Sequence, residues 1–279
     1  MRLTGILYLL SFLLALVIVG YSYTQTGDFL SLYLAIPAVI VSSTYMLGPQ
    51  INFWWSKRNP PRLEPKVQRI FELYHPWYKN LDPKEKKLFN SRVVLYVEDK
   101  AWINMGIEEE LPYDISAMIA FQAVRLTLSQ NDFLMRPFDR IVVYPYPFLS
   151  PNYASFYHAT ETNMEDGALI FSMRHLIPAF QQPEKYFNIV LYEYARVFKV
   201  TMPGINYPEV DTIEFWQDLY RVANYSFKEI HGLIGIPDAV DAWGVAVHHY
   251  FTYGPHFARV FPELNDQLTS IFKIYNLST

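Results

Sequence analysis

Apolar positions divide the chain into two regimes. No charged residue occurs from Leu3 to Gly27, and none from Phe29 to Ser56. A bilayer's hydrocarbon core takes about 20 apolar residues per helix, and Leu3 to Tyr23 and Phe29 to Leu47 each supply them. Only Thr24-Gln25-Thr26-Gly27-Asp28 separates the two, so the pattern predicts a two-helix transmembrane hairpin over residues 1–56. A cleaved signal peptide is the alternative for the first segment. No small-residue cleavage site follows it, and a second apolar run comes at once. Pro37 kinks a membrane helix without excluding it.

Residues 57–65 change character. Asn59-Pro60-Pro61-Arg62-Leu63-Glu64-Pro65 is too proline-rich for a helix and reads as a stiff linker, with a soluble domain over 66–279. Within that domain Lys66 to Tyr74 reads as helix. Asp82-Pro83-Lys84-Glu85 opens another, with Asp as N-cap and Pro at the first position. Arg92 to Val97 fits either the end of that helix or a strand. Glu108, Glu109 and Glu110 read as a solvated acidic turn ended by Pro112. Tyr113 to Gln130 reads as a buried helix, Phe138 to Pro145 as a strand, Ala168 to Ser172 as a second strand and Arg174 to Phe180 as a short helix. Helices are further expected at about Tyr186 to Val200, Thr212 to Phe227, Asp238 to Tyr253 and Pro262 to Tyr275. His231-Gly232 reads as a helix end. The fold class is α+β, mostly helical, with a small sheet.

Charge and composition narrow the chemistry. The chain of 279 residues has a formal net charge of −4, without the basic footprint of a nucleic-acid binder. It contains no cysteine, so disulfides, cysteine zinc sites and thiol catalysis are excluded. Arg2 precedes the first apolar segment, while Lys57, Arg58, Arg62, Lys66 and Arg69 follow the second. The positive-inside rule then predicts a cytoplasmic-membrane protein with both termini and the soluble domain in the cytoplasm. Trp54 and Trp55 suit the interfacial belt.

Candidate chemistry concentrates in Asn188 to Val200. This helix is apolar on nearly every side yet carries Glu193 and Arg196, which an apolar environment tolerates only with a reason. A zinc-peptidase helix has His-Glu-x-x-His here, two imidazoles on one face gripping the metal and the Glu as general base. The same frame in this chain is Tyr192-Glu193-Tyr194-Ala195-Arg196. Glu193 and Arg196 are three apart with the acid first, the favourable order for a helical ion pair. His248 and His249 lie on a later aromatic-rich helix. Asp238 and Asp241 read as cap and first-turn residues. No glycine-rich phosphate loop and no Gly-x-Ser-x-Gly elbow is present.

Several of these blocks occur together: Ile141-Val-Val-Tyr-Pro-Tyr-Pro-Phe148, the strand Ala168-Leu-Ile-Phe171, the apolar helix with x-Glu-x-Ala-x, then His248-His-Tyr-Phe-Thr-Tyr-Gly-Pro255 and Phe261-Pro-Glu-Leu264. In order and spacing the chain resembles the Mlc titration factor A (MtfA) family of glucose-regulated zinc peptidases over roughly residues 70–276. The two-span anchor is not part of that pattern. The resemblance implies a zincin-like metallopeptidase scaffold. It also places the family's first metal His on Tyr192, its catalytic Glu on Glu193, its second metal His on Arg196, and its third ligand, a Glu, on His249 or, with a one-residue shift, on His248. Only the base is retained.

An arginine has no lone pair for a metal, a tyrosine binds one only as phenolate, and a lone imidazole falls short of the three protein ligands of a catalytic zinc. The expectation is therefore no cofactor, with Arg196 replacing the metal as the cation that organises Glu193 and a histidine into one cluster. Family members bind a transcriptional repressor, so the resemblance implies a regulatory pseudopeptidase with a protein partner, besides the lipid bilayer and with no direct nucleic acid. Tyr192, Arg196, His248 and His249 are the candidate binding residues. Two alternatives stand. One is a working peptidase with an altered zinc site, using Glu193 as base and a metal on His249, His248 or Tyr192. The other is a purely structural membrane protein with a filled cleft.

Overall fold

The computed structural model describes residues 3–25, 30–60, 62–106, 110–223, 225–238 and 240–273. Glu108 and Glu109, the turn at 26–29 and the residues after 273 lie outside them. The chain divides into two compact units, Met1–Pro61 and Arg62–Thr279.

The first unit is helical: α1 (Leu3–Gln25), α2 (Leu30–Met46) and α3 (Gly48–Arg58). Leu3–Thr24 is long and apolar enough to cross a membrane, with a mean hydropathy of 2.5. Its side chains lack a protein core to enter: Phe12 is 61% and Val17 67% exposed. The second apolar run is not one straight span. α2 and α3 meet at Leu47 with a bend of 76°, where Pro49 at the start of α3 brings no amide and forces the preceding turn to break. Among the described residues one helix meets the length of a span by itself, and α2 with α3 makes a second only if the bent pair is one broken span. The inward faces are small and polar. Thr4 donates from both its amide and its hydroxyl to Asn52 Oδ1, each at 3.2 Å, and Ser11 and Thr44 are buried.

The second unit begins with α4 (Pro65–Tyr74), α5 (Pro76–Lys79) and α6 (Pro83–Asp99). Asp82 and Glu85 close a capping box at the start of α6. Residues 92–97 continue that helix, their apolar face buried by α7 (Tyr113–Thr127). Between α6 and α7 lies β1 (Ala101–Asn104), followed later by β2 (Arg140–Tyr144), β3 (Thr160–Asn163) and β4 (Ala168–Ser172). The sheet order is β1-β2-β4-β3. The first three run parallel, and β3 pairs antiparallel with β4 at the edge, Thr162 opposite Leu169. The sequence pattern marks only β2 and β4. β1 and β3 are four residues each and gain their strand character from pairing rather than from apolar alternation.

After the sheet come α8 (Met173–Gln181), α9 (Ile189–Thr201), α10 (Ile213–Ala223), α11 (Phe227–Ile234), α12 (Ala242–Thr252), α13 (Gly254–Val260) and α14 (Pro262–Phe272). Where the pattern predicts one helix over 212–227, Ser226 caps a second one through a capping box with Glu229. That helix ends at Gly235, not at Gly232, with φ of +87° at its left-handed cap. The following helix starts at Ala242 with Asp241 as N-cap, leaving Asp238 outside it.

α9 is the centre of this unit. It packs against α7, α12 and the β3 edge, and its residues from Ile189 to Ala195 are all buried. Asn188 starts it by accepting a hydrogen bond from the Leu191 amide at 3.0 Å. α12 runs antiparallel to α9. Trp243 Nε1 donates to Ala195 O at 2.8 Å, and Gly244 lies so close that an added Cβ would meet Tyr192 Cδ2 at 2.7 Å. Gly244→Ala is expected to destabilise the protein. Overpacking costs about 1–3 kcal/mol and outweighs a helix-propensity gain of at most about 1 kcal/mol, because the Tyr192 ring is held from both ends. A lowered denaturation midpoint in urea is the check.

Candidate functional site

Glu193 is completely buried, in the second turn of α9 against the sheet edge. Its Oε2 accepts two hydrogen bonds, from Thr162 Oγ1 on β3 at 2.6 Å and from Arg196 NH1 at 2.7 Å. Its Oε1 is buried without a hydrogen-bond partner. The carboxylate is thus held by one strand hydroxyl and one guanidinium one helical turn along, the two charges close enough to neutralise each other.

Arg196 keeps about a quarter of its side chain accessible, 24%, so the ion pair has one wet end. Burial alone would lower the Arg196 pKa, but the Glu193 carboxylate, with Tyr192 and Asp241 nearby, outweighs it and raises the pKa. Its guanidinium stays protonated at any accessible pH. Tyr192 is turned away from any ligand role. Its hydroxyl accepts a hydrogen bond from the Asp241 amide at 3.0 Å, and burial followed by the Glu193 charge raises its pKa, so the phenolate is disfavoured.

The two histidines of α12 sit beside the N-terminal end of α9, away from the carboxylate. His248 Nε2 accepts the Asn188 amide hydrogen at 3.0 Å and its ring stacks on Phe187 with centroids 4.2 Å apart. His249 Nδ1 donates to Val245 O at 2.8 Å, while its Nε2 is buried without a partner. Neither imidazole is hydrogen-bonded to Glu193, Tyr192 or Arg196. The cation–carboxylate cluster therefore recruits a threonine where the sequence suggests a histidine. Burial lowers both histidine pKa values, that of His249 to about 4.

A second polar group borders the first through β3. His158 Nε2 lies 3.1 Å from Glu161 Oε2, and Asn152 Nδ2 donates to Glu161 Oε1 at 2.9 Å. Burial alone would raise the Glu161 pKa, but hydrogen bonds from His158, Ser150 and Asn152 hold it below the ordinary carboxylate range. Tyr153, next in this loop, donates its hydroxyl to Asp238. Thr162, Glu161 and Tyr153 carry no local sequence signal. Thr162 and Glu161 enter the site because β3 pairs at the sheet edge beside α9, and Tyr153 comes from the loop before it.

Could these residues hold a metal? Among the described residues no three His, Asp or Glu side chains are grouped as a metal centre requires. The individual donors agree. One oxygen of Glu193 is committed to a guanidinium, the Tyr192 hydroxyl to a backbone amide, the His248 lone pair to Asn188, and Arg196 places a fixed positive charge where a dication would have to approach. Glu193 Oε1 and His249 Nε2 are left uncommitted, two donors where a catalytic zinc takes three protein ligands, so the donor set does not fit a zinc ion. What remains chemically is an acid–arginine pair in the middle of α9, its acid buried and its arginine partly accessible.

No curated protein matches the chain. The model of one family, described as glucose-regulated metallo-peptidase M90, matches residues 52–225, a span that holds Tyr192, Glu193 and Arg196 but stops short of His248 and His249.

Proposed function

The chain belongs to the glucose-regulated metallopeptidase M90 family, and from that premise we propose that it is a pseudopeptidase: a family scaffold that has exchanged its metal for an internal cation and acts by binding a protein partner. The observation that carries this is the 2.7 Å pair between Arg196 and Glu193. A general base must be free to take a proton from a metal-bound or positioned water. Here one of the two carboxylate oxygens, Oε2, is shared between an arginine and a threonine, and the arginine occupies the second ligand position of the motif.

The reading extends to the membrane. The helix Leu3–Thr24 anchors the protein in a bilayer, and the basic residues Lys57 and Arg58 on α3 face the cytoplasm with the soluble unit. Arg58 lies 4.1 Å over the Trp54 ring, the pairing expected at a headgroup boundary. Tethering suits a binding role, since it confines a partner to the membrane and raises the effective concentration of the second contact. A transcriptional regulator is the partner class proposed.

One observation favours a working hydrolase instead: Glu193 Oε1 has no partner and remains available as a base. Metal content separates the two. The full chain, expressed with ample zinc and purified in a non-ionic detergent, is expected to carry far less than one zinc per molecule by inductively coupled plasma mass spectrometry. It is also expected to leave unstructured peptides uncut. Near-stoichiometric zinc that disappears in His249→Ala would overturn the pseudopeptidase.

A further inference from the structure

A groove of about 520 Å³ opens between the segment Pro208–Thr212, the start of α10 and the junction of α13 and α14. Its floor is apolar. Phe215 and Val210 are buried beneath it, and the rings of Phe215 and Phe261 lie with centroids 5.4 Å apart. Its rim is acidic, with Glu209, Glu214, Asp218 and Glu263 around the opening and no basic residue in the lining. Asp218 is paired with Arg221 at 3.0 Å, but Glu209, Glu214 and Glu263 form no ion pair among the described residues.

Helix dipoles explain part of this. Glu214 and Glu263 stand in the first turns of α10 and α14, where a carboxylate is favoured. They do not explain why two helix starts and a loop carboxylate converge on one apolar floor. A like-charged rim costs electrostatic energy that an opposite charge would relieve. An aromatic floor under an acidic rim matches a lysine or arginine side chain, whose apolar stem lies on the rings while its charged head reaches the carboxylates.

We propose that this groove docks a basic, partly apolar segment of a protein partner. The proposal rests on the partner-binding reading above for the existence of such a partner, and names the chemistry by which it is held. It places the contact on α10, α13 and α14, away from Glu193, so that recognition does not depend on the state of the Glu193–Arg196 pair.

The test uses the full chain in non-ionic detergent and a fluorescein-labelled eight-residue peptide of alternating lysine and leucine, followed by fluorescence anisotropy. Binding is expected, weakening at least tenfold in the exposed triple variant Glu209→Gln, Glu214→Gln, Glu263→Gln and several-fold between 0.1 and 0.5 M salt, as screening requires. The matching glutamate–leucine peptide is expected not to bind. The chain has no cysteine, so Gln267→Cys supplies one thiol at the groove, which should attack a lysine–leucine peptide whose terminal cysteine carries a thiopyridyl disulfide, forming the protein–peptide disulfide and releasing pyridinethione. An affinity unchanged by the triple variant, equal binding of the acidic peptide, no capture at position 267, or no binding at all would each overturn the proposal. Zinc in the cleft would sink the pseudopeptidase and leave these results standing. Loss of peptide binding would do the reverse.

Discussion

Arg196→Ala is expected to lower the unfolding free energy by about 3–5 kcal/mol, the usual cost of removing one partner from a buried ion pair. The partner left behind is the severe part. Glu193 is fully buried, one of its oxygens already has no hydrogen bond, and after the substitution only the Thr162 hydroxyl would hold the charge. Desolvation of an uncompensated carboxylate exceeds what a single neutral donor returns. Replacing both members by apolar residues of similar volume, Glu193→Met with Arg196→Leu, is expected to recover most of the loss, because the pair's attraction and its desolvation nearly cancel. Urea unfolding of the full chain, followed by tryptophan fluorescence, measures all three. If Arg196→Ala costs under about 1 kcal/mol, the guanidinium is a surface ornament and the internal-cation reading falls with it.

The second large effect is acid sensitivity. Burial puts the His249 pKa at about 4, against about 6.5 in the unfolded chain. The unfolded chain therefore binds more protons between those two values, and stability falls as pH drops from about 6.5 to about 4. At about 1.4 kcal/mol per pH unit this amounts to about 3 kcal/mol for His249 alone. His248 and His75 are shifted the same way by burial, with Arg125 adding to both, so the slope should exceed that of one site. The geometry states why protonation is refused. A proton on His248 Nε2 would turn the acceptor of the Asn188 amide into a second donor, and a proton on His249 Nε2 would meet no acceptor. Denaturation midpoints at pH 7.5, 6.0 and 5.0 should fall steadily, and less steeply in His249→Gln. A flat profile over that range would mean that these imidazoles are hydrated in solution.

Much of the helical framework is legible from local chemistry alone. Asp82-Pro83-Lys84-Glu85 encodes a helix start in its own side chains, and the capping box forms where the spacing puts it. Glu193 and Arg196, three apart on an apolar helix, imply their own ion pair. The break at Leu47 follows from the neighbouring Pro49 and the extra cap from the local Ser226–Glu229 capping box, so both lie in nearby residues, whereas the short strands β1 and β3 depend on partners distant in the chain.

The sequence by itself determined the long apolar N-terminal helix, the absence of thiol chemistry, and the placing of Tyr192, Glu193 and Arg196 on one apolar helix with the acid three residues before the arginine. These are properties of residue types at fixed spacing, which no packing can alter. Only the tertiary structure decided which partners those residues take. β3 pairs at the sheet edge and brings Thr162 to Glu193, while the close approach of α12 at Gly244 draws His248 to Asn188 and away from the carboxylate. Hydrogen bonds between segments tens of residues apart are fixed by how helices and strands pack, and a local pattern holds no record of that.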